Sequence, residues 1–246
     1  MGLQESQQIN AQMPLVTDPE INRYVNLLGD SIARLTSRGD LDWHFYVVNT
    51  DVVNAFALPG GYIYVNRGVI ERADKMDELA GVLGHEIGHV VLRHSVKQME
   101  QMQGANVGLA LACTLTQICQ SQATQAAINV GGNLVFAKFS RDDERQADEQ
   151  GFQNVTRAGI SPEGMLTFFQ KLLAEEQAQG GSQSGAGAWF ADHPGTQDRI
   201  ADIQRMINTL SSDRLATLTV NTQGFQALKQ RVAALPPAPK QQPGQE

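Results

Sequence analysis

The sequence predicts an α+β fold, predominantly α, with a small N-terminal antiparallel sheet packed on a helix bundle. Three observations carry that expectation. Short runs rich in β-formers occur between Trp43 and Val65. From Asn66 onward apolar residues recur at helical spacing. Strands first and helices after is the order of an α+β chain, not of alternating βαβ units.

Residues 1–13 are polar and have neither the basic start nor the apolar run of a secretory signal. Asp18-Pro19-Glu20 reads as a helix start, with Asp18 as N-cap and Pro19 at the first position. Ile21, Tyr24, Val25, Leu28, Ile32 and Leu35 carry that helix to about Arg38, where Gly39-Asp40 ends it. Trp43 to Asn49 reads as a strand. Asn54 to Leu58 and Tyr62 to Val65 flank Pro59-Gly60-Gly61, a hairpin signal. Helices are expected over Met76–Ser95, across the following charge-free stretch, over Ala137–Ala158, after Ser161-Pro162-Glu163 and after Pro194. Gln177 to Gly187 reads as a mobile Gly/Ser/Gln-rich loop, and Leu235 to Glu246 as a disordered Pro/Gln-rich tail. The chain therefore divides into an N-terminal extension (1–17), a main domain (18–210), a C-terminal packing segment (211–234) and the tail (235–246).

With 246 residues the chain can bury a real core without disulfide or metal staples. Its 26 acidic against 19 basic residues argue against a nucleic-acid partner, which would be held by Lys and Arg on phosphates. No charged residue occurs from Gln101 to Ala137, so a membrane span has to be considered. The longest apolar stretch there, Val107 to Leu115, falls short of the roughly 20 residues a bilayer needs. No transmembrane span is expected, and the window reads as a packed connector of small residues. Cys113 and Cys119, six apart, would face opposite sides of a straight helix. A disulfide would need a helix break between them, and both states stay open.

His85-Glu86-Ile87-Gly88-His89 is an HExxH motif. Residues four apart on a helix lie only about 40° apart around its axis, so both imidazoles can meet one Zn²⁺. Glu86 stands about 100° from His85, beside the metal rather than on it, where it can take a proton from zinc-bound water. Leu79, Val82, Leu83, Val90 and Val91 make this helix apolar enough to be buried. A zinc site needs at least one more protein ligand. His94, nine residues after His85, is expected to face away from the pair, and His44 reads as a structural strand residue. Glu144 and Asp148 share a helix face, so one can bind metal while the other holds a ligand's free N–H. Their neighbours Arg141, Asp142, Asp143 and Arg145 fit a solvated charged face equally well.

HEIGH followed by FSRDDERQAD resembles the gluzincin metallopeptidases of the family that includes CAAX prenyl endopeptidases, HtpX, mitochondrial Oma-type proteases and bacterial BepA-like proteases. NAFALPGGYIYVNRGV, Asn54 to Val69, resembles that family's strand-turn-strand before the active-site helix. His193-Pro194 followed by Arg199 resembles its HP…R element. The resemblance covers roughly residues 20 to 210 and implies a zincin-like fold. It implies one Zn²⁺ per chain on His85, His89 and Glu144, with Glu86 as general base and His193 steadying the transition state. Asp148 is implied to orient a zinc histidine, with Arg199 beside it. The implied function is an endopeptidase for unfolded or misfolded proteins in cell-envelope quality control, with outer-membrane assembly partners. Its expected place is the periplasm or cell envelope rather than the cytoplasm, any signal or lipid anchor lying outside this sequence. The other reading is a zinc-bearing chaperone or assembly factor with latent or lost protease activity.

Overall fold

The structure is a computed structural model that describes residues 2–101, 139–178 and 186–238. The charge-free stretch beyond Gln101 with both cysteines, the middle of the expected 177–187 loop, and the tail beyond 238 lie outside the described residues.

The N-terminal extension holds a helix, α1 (Gly2–Gln12). It forms because Ile9 packs with Val48, Leu58 and Tyr64 on the outer face of the sheet. The Tyr64 hydroxyl donates to Asn10 Oδ1 at 2.8 Å and fixes the contact. Helix α2 (Pro19–Ala33) starts as its capping residues direct, with Asp18 accepting from the N–H groups of Glu20 and Ile21. It ends at Ala33, a turn before Arg38.

Strands β1 (His44–Val48), β2 (Ala55–Leu58) and β3 (Tyr62–Asn66) form one sheet in the order β1-β3-β2. β2 and β3 are the expected antiparallel hairpin. Gly60 and Gly61 turn it at φ 93° and 99°, a region that penalises a Cβ. β1, however, runs parallel to β3, with His44 opposite Tyr62 and Val48 opposite Asn66. The sheet is mixed, which corrects the wholly antiparallel expectation. Residues 49–54 carry the chain past the end of β3 to its far edge, so β3 enters between two strands that precede it. Sequence pattern marks strands but not which edge each one takes.

Helix α3 (Arg67–Arg72) leads into α4 (Met76–Val91), which runs through the core and buries nearly every side chain. Leu92 and Arg93 then turn the chain, and residues 94–101 are helical again, so the single helix expected to Ser95 is broken. Helix α5 (Arg141–Arg157) lies against α4. A Cβ on Gly88 would lie 2.8 Å from the Ala147 carbonyl oxygen, and one on Gly151 would lie 3.0 Å from the His85 nitrogen. The two backbones therefore approach as only glycine permits, which sets Glu144 and Asp148 against His85 and His89.

Helix α6 (Glu163–Ala178) packs on the other side of α4, followed by α7 (Ala186–Asp192) and α8 (Thr196–Ile207). Two further helices were not foreseen: α9 (Ser212–Ala216) and α10 (Gln223–Ala233). Phe225, Leu228 and Val232 of α10 belong to the same buried cluster as Ile21 and Val25 of α2. The expected tail is docked at its start, where an Arg67 Nη1–H donates to the Pro236 carbonyl at 2.6 Å.

Candidate metal centre

Helix α4 presents His85 and His89 one turn apart, with their Nε2 atoms 3.0 Å from each other. Glu144 of α5 completes a triangle: Oε2 lies 3.4 Å from His85 Nε2 and Oε1 lies 3.4 Å from His89 Nε2. Ligands about 2.0–2.1 Å from a tetrahedral zinc are themselves roughly 3.3 Å apart, so this donor triangle has the dimensions the ion needs. Two imidazoles and one carboxylate also suit zinc better than Ca²⁺ or Mg²⁺, which gather oxygens. All three side chains are fully buried.

Glu86 is fully buried as well, and neither of its oxygens has a hydrogen-bond partner among the described residues. An orphaned buried carboxylate is costly unless something reaches it. Burial, foremost, raises its pKa above the ordinary carboxylate value.

Helix α5 begins at this site because Ser140 and Asp143 form a reciprocal capping box, which starts the helix just before Glu144. One turn on, Asp148 Oδ1 lies 2.8 Å from His85 Nδ1. Arg199 of α8 grips Asp148 through Nε and Nη2 at 2.6 and 2.8 Å, and its Nη1 lies 2.7 Å from Glu144 Oε2. The guanidinium stands over the Phe169 ring at 4.7 Å. One arginine thus spans both carboxylates of the site. Burial works against charge on Asp148 and Glu144, but Arg199 and the neighbouring histidines hold both pKa values down. Burial likewise opposes charge on His85, yet Asp148 and Glu144 raise its pKa to about 9. His89, with no carboxylate on its Nδ1, is driven by burial down to about 3.

His193 follows α7 and enters the same space. Its Nδ1 is 3.2 Å from both Glu144 oxygens and 3.4 Å from His85 Nε2. Its Nε2 is 3.4 Å from the Ala55 carbonyl and 3.6 Å from Glu86 Oε1. One turn earlier Trp189, fully buried, stacks on the His193 ring at 4.4 Å and 26°. Donor atoms of His85, His89, Glu144 and His193 all lie within 4.8 Å of one another.

All seven residues singled out from the sequence therefore converge: His85, Glu86, His89, Glu144, Asp148, His193 and Arg199. His44 stays in β1, beside Asp42 and stacked on Tyr62. His94 corrects the expectation that it faces away. It is buried, and its Nδ1 is 2.9 Å from His89 Nδ1. The expectation assumed a straight helix, whereas the turn at Leu92-Arg93 swings His94 back. Burial also holds its pKa below the usual histidine value. Phe139, stacked on His89 at 4.0 Å and 23°, and Trp189 were missed too. Trp189 precedes His193 by one helical turn, a spacing that could have suggested the stack. Phe139 carried no such signal.

Peptidase family M48 matches residues 19–207. The chain is 32% identical over 217 residues to the beta-barrel assembly-enhancing protease of Escherichia coli (strain K12), covering 85% of this chain and 44% of that protein. It is 36% identical over 152 residues to the E. coli metalloprotease LoiP, covering 62% of this chain and 58% of that one. The mitochondrial metalloendopeptidase OMA1 of Schizosaccharomyces pombe is 29% identical over 184 residues, 75% of this chain and 52% of the yeast protein. The chain thus spans about half the length of these curated relatives. The buried His-His-Glu triangle and the match over most of the sequence agree, and the chain belongs to peptidase family M48, a family of metallopeptidases.

Proposed function

We propose that this chain is a zinc-dependent endopeptidase acting on extended segments of unfolded or misfolded proteins, with His85, His89 and Glu144 holding the ion. Zinc bound there would polarise the scissile carbonyl and make an attacking water more acidic. The remaining work falls to the chain's own residues. Glu86, without a hydrogen-bond partner among the described residues and with its pKa raised by burial, takes the proton of that water and returns it to the leaving amine. His193 Nε2 faces the space between Glu86 and Ala55, where its N–H can meet an oxyanion. Asp148, gripped by Arg199, keeps His85 in the tautomer whose Nε2 lone pair points inward.

Among the described residues, strand β2 pairs with a strand on one side, β3. On the other side the Ala57 carbonyl meets the Ser95 hydroxyl, and the Ala55 carbonyl meets His193. An extended peptide added at this edge would be held by its backbone and little by its side chains, which favours unfolded chains as substrates. The similarity to the beta-barrel assembly-enhancing protease supports a place in the bacterial envelope, with beta-barrel assembly factors as partners. None of the described helices is long and apolar enough to cross a membrane.

The observation that carries this reading is the buried Glu86 carboxylate beside the donor triangle, without a hydrogen-bond partner among the described residues. Glu86→Gln should keep zinc and lose at least 10²-fold in cleavage of casein. Full activity in that variant would sink the general-base role. A second reading rests on His193: its Nδ1 is near enough to Glu144 and His85 to be a fourth donor. Closed four-ligand sites are structural, whereas catalytic sites keep a position open. The chain would then be a zinc-bearing assembly factor with latent activity. His193→Ala separates the two, since cleavage falls if His193 serves the reaction and rises if it seals the site.

A further inference from the structure

We propose that His94 is a positioning residue of the metal centre, fixing the tautomer and ring orientation of His89 through an Nδ1–Nδ1 relay, with the Asp143 carboxylate beyond it. The inference rests on the zinc site proposed above and deepens it.

Helix α4 stops at Val91, and Arg93 adopts φ 61°, a left-handed conformation unfavourable for a residue with a Cβ. That turn places the His94 ring edge-on to His89, with centroids 5.0 Å apart at 76°. The two Nδ1 atoms are 2.9 Å apart, so one must carry the hydrogen and the other accept it. If His94 donated, neutral His89 would carry its hydrogen on Nε2, pointed at the donor triangle. If His89 donates, its Nε2 lone pair faces His85 Nε2 and Glu144, as a metal ligand's must. The His94 hydrogen then sits on Nε2, which is buried, has no hydrogen-bond partner among the described residues, and lies 3.7 Å from Asp143 Oδ1. Asp143 is itself fixed, since its Oδ2 accepts from the Ser140 N–H and hydroxyl.

The second arrangement gives both histidines an acceptor on the nitrogen turned away from the metal. For His85 that acceptor is the Asp148 carboxylate at 2.8 Å. For His89 it is an imidazole, with a carboxylate one step further out. Such outer partners orient a ligand and raise its basicity, and their loss typically weakens metal binding by roughly 10–100-fold.

The test is zinc affinity of the full chain, measured by competition with a chelating dye. His94→Leu keeps much of the bulk but removes the acceptor, while His94→Asn sets an amide oxygen near the Nδ1 position. Zinc affinity should fall roughly 10–100-fold in His94→Leu and stay within about threefold of wild type in His94→Asn. Wild-type affinity in His94→Leu, or an equal loss in both variants, would overturn the relay. If His94→Leu does not fold, His94→Ala decides: added imidazole should restore its zinc affinity, and no restoration counts against the relay. Failure of the wild-type chain to bind zinc would instead overturn the metal site, and the relay with it.

Discussion

Asp77 and Glu86 are carboxyls buried in the same helix, and Glu86 is the one that stands beside the donor triangle, 3.6 Å from His193 Nε2. Asp77 is 2% exposed and its Oδ1 lacks a hydrogen-bond partner among the described residues. Burial, foremost, pushes its pKa up to about 7. The folded state therefore holds this proton more tightly than the unfolded chain does. The stability this contributes is complete below the unfolded carboxylate value and is lost as pH rises through about 7. Asp77→Asn removes the charge that costs stability at high pH. It should stabilise the protein by about 1–3 kcal/mol at pH 8 and by almost nothing at pH 4. Urea denaturation at the two pH values checks this, and an equal effect at both would contradict it. At this scale the sequence was most informative where chemistry demands fixed spacing. Two histidines four apart on a buried helix are legible as a metal pair. The role of His94 was not, because it depends on one left-handed residue that no periodicity announces.

At the scale of elements, the site depends on how closely two helices lie. Gly88 faces the Ala147 carbonyl and Gly151 faces the His85 backbone, so α4 and α5 meet nearly backbone to backbone. Gly88→Ala would put a methyl 2.8 Å from that carbonyl and push α5 outward. The expected cost is about 1–3 kcal/mol, with weakened zinc binding because Glu144 moves with the helix. Thermal melts with zinc titration read both effects, and unchanged affinity would show that α5 can give way without moving Glu144. The capped start of α2 was legible, since it begins where Asp18 says it should, whereas α5 was expected from Ala137 and starts at Arg141 under the Ser140–Asp143 capping box. Helix α10 was missed although Phe225, Leu228 and Val232 keep helical spacing, and the parallel pairing of β1 with β3 left no mark in the pattern.

Across the whole molecule, one hydrophobic cluster runs from Val16 to Val232 and joins the sheet, the metal-site helices and the C-terminal helix. Zinc at the proposed site, held by helices that belong to that cluster, should therefore report on global stability. With zinc at about 1,000 times its Kd, binding to the folded state adds about 4 kcal/mol. Stripping the ion with EDTA should lower Tm by roughly 8–16 °C for a chain of this size, and Glu144→Ala should show a much smaller shift. A Tm indifferent to EDTA in the wild type would argue against zinc at this site.

The sequence by itself determined the fold class, the capped start of α2, the β2–β3 hairpin and the HExxH set of His85, Glu86 and His89. Local rules suffice for these, because capping, periodicity and ligand spacing act within a few residues, whereas Glu144, Asp148, His193 and Arg199 were marked by the resemblance to a known family. Tertiary structure alone decided the distances that make a site of them. The 3.4 Å contacts of Glu144 with the histidines, the grip of Arg199 on two carboxylates, the entry of His193 and the return of His94 join residues from α4, α5, α8, the helical stretch 94–101 and the link between α7 and α8. Such contacts are set by how closely backbones pack and where a chain turns, and those are properties of the packed core rather than of any one stretch of it.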